Sequence, residues 1–257
     1  LAHGNRGRRP RHAIAGELRK EVMELASSLY RDYNHTHLQE ELKERHSINL
    51  SRRSVTRAAS QRSPRKRRVR KHRSFRPPMP QEGMLLQVDG SNHDWLEGRG
   101  PRLVLIGAAD DATGDPVHAV FREQEDTEGY FLLLRDSIRR KGVPIAWYSD
   151  RHGIFQRNDK QPWTLEEELA GRREPTQLAR ALEELGVNLI IAHSPQAKGR
   201  VERLWETLQD RLVKELRREN ACSLADANQV LKAYLPRFRK RFARKPAEPQ
   251  SAYRPLP

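Results

Sequence analysis

Between residues 84 and 122 three apolar runs follow one another: 84–89 (Met-Leu-Leu-Gln-Val-Asp), 102–110 (Arg-Leu-Val-Leu-Ile-Gly-Ala-Ala-Asp) and 116–122 (Pro-Val-His-Ala-Val-Phe-Arg). Runs of this kind read as buried strands, and their short connections suit an antiparallel meander. The chain then alternates, with a helix over 128–141, a strand over 145–149, a helix near 175–185, a strand over 187–192 and a helix opening near residue 197. A meander followed by such alternation implies an α/β fold, a mixed five-stranded sheet with flanking helices.

A chain of 257 residues can bury a sizeable core, and its length allows one or two domains. No run approaches the roughly 18 apolar residues of a membrane span, and no signal-peptide pattern precedes residue 20, so a cytoplasmic chain with no membrane partner is expected. The single cysteine, Cys222, excludes an internal disulfide and a two-His, two-Cys zinc module. His35, His37 and His46 therefore read as surface histidines. The sequence opens at Leu1 inside a basic stretch, from which an incomplete N-terminus is expected.

Charge is concentrated rather than spread. Residues 45 to 81 hold thirteen of the Lys and Arg residues and no Asp or Glu, so of the net +15 only +2 belongs to the rest of the chain. Such self-repulsion makes sense beside a polyanion, and nucleic acid is the expected partner. Residues 62–80 are basic and then proline-containing, which predicts an extended linker lying along a DNA backbone through Arg65, Lys66, Arg67 and Arg68. Ahead of it, Leu18, Val22, Leu25, Leu29 and Tyr33 make an amphipathic stripe over 14–33. A second helix over 37–45 packs through Leu38 and Leu42. Ser51 caps a third over 52–59, with Val55 inward and Arg52, Arg53, Thr56 and Arg57 outward. This pattern predicts a small all-α helix-turn-helix domain whose third helix meets DNA. The expected organisation is thus 1–61 helix-turn-helix, 62–80 linker, 81–222 α/β core and 223–257 C-terminal helix and tail.

Three acids stand in short signatures: Asp89 in Leu-Leu-Gln-Val-Asp-Gly-Ser, Asp150 in Trp-Tyr-Ser-Asp-Arg-His-Gly, and Glu202 in Lys-Gly-Arg-Val-Glu-Arg. The first two end apolar runs. The third opens a helix whose Leu204, Leu208, Leu212 and Leu216 repeat every four residues. Partly desolvated carboxylates at the ends of core elements are costly unless something binds them, and a divalent metal is the simplest compensation. Glu206, one turn beyond Glu202, is a weaker candidate. Asp110 and Asp111 read as turn chemistry, and His93 and Asp94 as loop residues. Lys198, Arg200 and Arg203 fall near the same end and would neutralise DNA phosphates. His152 and His193 flank the second and third acids. Trp147, Tyr148 and Phe155 read as packing.

On these signatures, over roughly residues 80 to 245, the chain resembles the DDE transposases of bacterial insertion sequences, whose core is retroviral-integrase-like. The stretch around Glu202 is the most specific piece. The resemblance implies an RNase-H-like core in which Asp89, Asp150 and Glu202 converge and are catalytic. It also implies two Mg²⁺ or Mn²⁺ ions, bridged by Asp89, with Asp150 on one and Glu202 on the other. The implied activity is DNA cleavage and strand transfer at an element's terminal repeats, on double-stranded DNA, by a homo-oligomer. The gap from Asp150 to Glu202 is longer than is common among integrase relatives, and polar residues 154–174 read as an insertion that accounts for it. The alternative reading is a truncated, non-catalytic DNA-binding remnant or repressor.

Overall fold

A computed structural model describes residues 14–59, 76–157, 162–171, 173–192 and 199–256. Arg65, Lys66, Arg67, Arg68, His193 and Lys198 lie outside the described residues. The chain divides into two compact units, Leu1–His72 and Arg73–Pro257.

The first unit holds three helices, α1 (Gly16–Ser27), α2 (His35–Arg45) and α3 (Arg52–Ala58). Val22, Ala26, Tyr30, Leu38, Leu42, Ile48 and Val55 form its core. Asn34 caps α2 by accepting the N–H groups of Thr36 and His37, and Ser51 caps α3 by accepting that of Ser54. Helix α1 stops earlier than the 14–33 stripe predicts, because the hydroxyls of Ser27 and Ser28 both donate to the Glu24 carbonyl and compete with the backbone ladder. Tyr30 then turns inward in place of Leu29, which is 54% exposed. Two of the three histidines expected at the surface are packed here: His37 stacks on Tyr33 at 4.3 Å, and His46 Nε2 bonds the Tyr30 hydroxyl at 3.0 Å.

In the second unit β1 (Leu86–His93), β2 (Leu103–Asp110) and β3 (Pro116–Arg122) form the antiparallel meander. There follow α4 (Thr127–Lys141), β4 (Ala146–Ser149), α5 (Leu165–Ala170), α6 (Gln177–Glu184), β5 (Asn188–Ile191), α7 (Gly199–Arg218) and α8 (Leu224–Phe242). The sheet order is β3-β2-β1-β4-β5, with β4 parallel to both β1 and β5. This is the RNase-H-like arrangement. Strand alternation sends Leu86, Val88, Val104 and Ile106 to a core with Tyr130, Leu133, Leu178 and Leu182 from α4 and α6. Leu103, Leu105 and Ala109 face Leu204, Trp205, Leu208 and Leu231 from α7 and α8. The result is a sheet between two helical layers. Among the described residues no helix is long and apolar enough to cross a membrane.

Three local expectations change. Strand β1 continues past Asp89, because β2 pairs with it along its full length, from Leu86↔Asp110 to His93↔Leu103, while β4 ends at Ser149. Asp89 is therefore interior to its strand, and His93 is a strand residue rather than a loop residue. The polar 154–174 segment contains α5, held by a capping box between Thr164 and Glu167. The proline-spotted tail is also packed: Arg244 N–H donates to Thr113 O, Ala252 N–H to Glu82 O, and Val143 and Arg254 exchange backbone bonds.

Asp110 accepts the N–H groups of Ala112 and Thr113, as turn chemistry requires. Asp111 does something else. Its fully buried carboxylate accepts Arg76 at 2.6 Å, the Met79 N–H at 2.8 Å, Gln87 Nε2 at 2.7 Å and Arg200 Nε at 2.7 Å. It thereby ties the entry segment, β1 and the start of α7 together. Removing one partner of a buried ion pair costs about 3–5 kcal/mol, so Asp111→Ala should lose that much stability, read by urea unfolding.

Candidate active site

Strand register brings the first two acids together. Leu86 pairs with Trp147 and Gln87 with Tyr148 in the parallel β1–β4 ladder. Continued two residues, the same register sets Asp89 beside Asp150, immediately past the end of β4. Both are half-buried. Both also act on one group, the buried Tyr130 hydroxyl. Burial first, then the Glu125 carboxylate, then Asp89 and Asp150, push that phenol far above its ordinary range.

The third acid arrives on α7, which is fastened to β1 at regular intervals. The Val201 N–H donates to Gln87 Oε1 at 3.2 Å, Trp205 Nε1 to Asp89 Oδ2 at 3.2 Å, and Gln209 Nε2 to Ser91 Oγ at 3.0 Å. Glu202 lies half-buried between the first two of these anchors, in the first turn of α7, where the positive end of the helix favours an acid. Glu206 is exposed. The Trp205 ring reaches β2 at Gly107, where a Cβ would come within 2.6 Å of ring carbon Cη2.

Glu125 and Tyr130 were not foreseen. The Tyr130 hydroxyl donates to Glu125 Oε1 at 2.5 Å, and a Cβ on Gly90 would meet the Glu125 carboxylate at 2.6 Å. A fourth carboxylate thus rests on the residue that follows Asp89. The available signals were the glycine next to Asp89 and the acid-rich 123–128 segment before α4.

The remaining predicted residues are dispersed. Arg200 is engaged by Asp111 and by the Arg76 carbonyl, and Arg203 Nε donates to the Gly199 carbonyl. His152 is exposed, and its backbone N–H donates to Asp150 Oδ1 at 3.0 Å. Asp94, at the loop position expected, accepts the Gly98 N–H. Arg52, Arg53 and Arg57 are exposed on α3, in the other unit.

No family model matches the chain. A protein of Sinorhizobium fredii named as a transposase (y4bF) is 34% identical over 258 residues, covering 100% of this chain and 55% of the relative. The transposase for insertion sequence IS1202 of Streptococcus pneumoniae is 31% identical over 280 residues, covering 95% of this chain and 58% of the relative. Along its length the chain is similar to transposases. It spans a little over half the length of these relatives. Among solved structures, the catalytic core domain of BIV integrase is 17% identical over 62% of this chain and 85% of that chain, with a TM-score of 0.42. A simian T-cell lymphotropic virus intasome chain is 15% identical over 82% and 66%, with a TM-score of 0.44. The sheet order above, and not these distant likenesses, carries the fold assignment.

Because Tyr130 keeps its proton in the folded chain at a pH where an unfolded tyrosine loses it, its contribution to stability is complete below about pH 10 and is lost as pH rises further. Urea midpoints should therefore fall above pH 10, and Tyr130→Phe should make that fall shallower. At neutral pH the same substitution should cost about 1.5–3 kcal/mol, the worth of a hydrogen bond to a charged group.

Proposed function

We propose that this chain is a DDE transposase, in which Asp89, Asp150 and Glu202 form one metal-dependent site that cleaves DNA at the terminal repeats of a mobile element and joins the ends to target DNA. The observation that carries this reading is the shared register of Asp89 and Asp150, with Glu202 delivered by a helix bonded to Asp89 itself. The similarity to transposases points the same way.

The three carboxylates are hard oxygen donors and half-buried, a set that fits Mg²⁺ or Mn²⁺. Asp89 would be shared between two ions, with Asp150 completing one site and Glu202 the other. Bound there, such ions lower the pKa of an attacking water or 3′-hydroxyl and stabilise the leaving oxygen. The side chains themselves hold and orient, so no protein nucleophile is required. Asp89 is fixed by its strand and by Trp205, and Glu202 by the helix turn between two anchors. Arg203 near this end would meet DNA phosphates, as would Lys198, which precedes α7 in the sequence, and Arg200 of the same turn is braced on Asp111.

The three-helix unit reads as a helix-turn-helix, with Arg52, Arg53 and Arg57 of α3 toward double-stranded DNA and residues 62–80 following its backbone. Chemistry on two element ends calls for a homo-oligomer on DNA. Arg53→Ala should weaken end binding across sequences and lower the slope of log affinity against log salt by about 1.

The decisive substitution is Asp89→Asn. It keeps an oxygen for Trp205 to bond and so should keep the fold. Terminal-repeat binding in a mobility-shift assay should persist, while Mg²⁺-dependent strand transfer should fall below detection; a fully active variant would sink the mechanism.

A further inference from the structure

Trp205 sits where packing and the acidic site meet. It is 6% exposed, its ring lies against the Cβ-free face of Gly107, and its Nε1–H donates to Asp89 Oδ2 at 3.2 Å. Gly107 is also the cross-strand partner of Asp89. One rung of the β1–β2 ladder therefore supplies both the slot that receives the ring and the acid that accepts its hydrogen bond.

The two side chains differ in how firmly their own torsions hold them. The terminal torsion of an aspartate is broad, so an outside partner must choose its rotation. An indole held between a helix and a sheet cannot turn, so its N–H is a fixed point in the site. A neutral donor of this kind selects the carboxylate's orientation without cancelling its charge. A buried tryptophan N–H seeks some acceptor in any case, and backbone carbonyls are the commonest choice, as Trp95 illustrates by donating to Ser91 O. Trp205 instead spends its one donor on Asp89.

We propose that Trp205 is a positioning residue for Asp89, which sets the affinity of the site for a divalent ion, and that its indole reports occupancy of that site. This rests on the metal-site reading given above. Outer-shell partners of metal ligands typically change metal affinity by about 10–100-fold when removed, and the same size of effect is expected here.

The test uses the full chain and Mn²⁺ alone, a paramagnetic quencher, followed by calorimetry and by tryptophan emission. In the wild type, Mn²⁺ should bind and quench emission, and Asp89→Asn should lose both. Trp205→Phe keeps an aromatic side chain facing Gly107, removes the donor, and leaves a small gap where the indole's outer ring reached. It should bind Mn²⁺ about 10–100-fold more weakly, and the wild-type quench should disappear with the indole. Its kcat for strand transfer should fall while KM for end DNA stays unchanged, a split that general loosening of the fold does not produce. Gly107→Ala keeps the indole but pushes its ring away from the slot. It should weaken Mn²⁺ binding as well, and it decides the question where Trp205→Phe does not fold. Mn²⁺ affinity equal to wild type in a folded Trp205→Phe, or in Gly107→Ala where that variant alone folds, overturns the positioning role and leaves the transposase reading standing. A wild type that binds no Mn²⁺ overturns both.

Discussion

Helix α7 and strand β1 run side by side and are joined through residues 201, 205 and 209 of the helix and 87, 89 and 91 of the strand. Four helical residues advance about 6 Å, and two strand residues advance about 6.6 Å. The mismatch per step is small, so three successive bonds form before the elements drift apart. Only one face of each element can take part: every second residue of the strand and every fourth of the helix. The same helical face carries Leu204, Leu208 and Leu212 into the core with β2 and α8. Burial of that apolar stripe and formation of the three polar bonds to β1 are consequently one event, and a helix that failed to dock would lose both.

The polar groups around the site are handled in two ways. Away from the acids, a buried carboxylate is matched by full charges, as Asp111 is by Arg76 and Arg200. Around the candidate site neutral donors do part of the work: the indole of Trp205 on Asp89, the phenol of Tyr130 on Glu125, and a backbone N–H on Asp150. Charge matching stabilises the frame. Neutral donors hold carboxylates in place without adding a charge of their own.

Much of the frame was legible because it rests on local periodicity. The meander, the alternating helices and strands, the Ser51 cap and the Leu204–Leu216 stripe all follow from spacing within a single element. What escaped depends on partners distant in sequence. The extension of β1 beyond Asp89 reflects how far β2 reaches, not any residue in β1. The bond from Arg200 to Asp111 could not be read from the sequence, because the two lie 89 residues apart. Glu125 carries no motif, and its place against β1 exists only because Gly90 has no side chain there. Leu29 kept the helical period, yet two serine hydroxyls ended the helix before it. The signatures around Asp89, Asp150 and Glu202 stand out in the sequence, whereas the bond from Trp205 to Asp89, 116 residues apart, does not.

The excursion between β4 and α6 begins and ends at nearly the same point: the Thr176 hydroxyl donates to the Phe155 carbonyl, and Phe155 itself is seated against Tyr130. Helix α5 within it carries its own caps at both ends, Thr164 and Gly171. Chain length inserted there is therefore taken up outside the tie and is not transmitted to the strands. The opposite holds for β1, where a single added residue would turn Gln87, Asp89 and Ser91 toward the wrong face of the sheet. The number of residues between β4 and α6 can therefore change without moving either element, whereas the parity of β1 cannot.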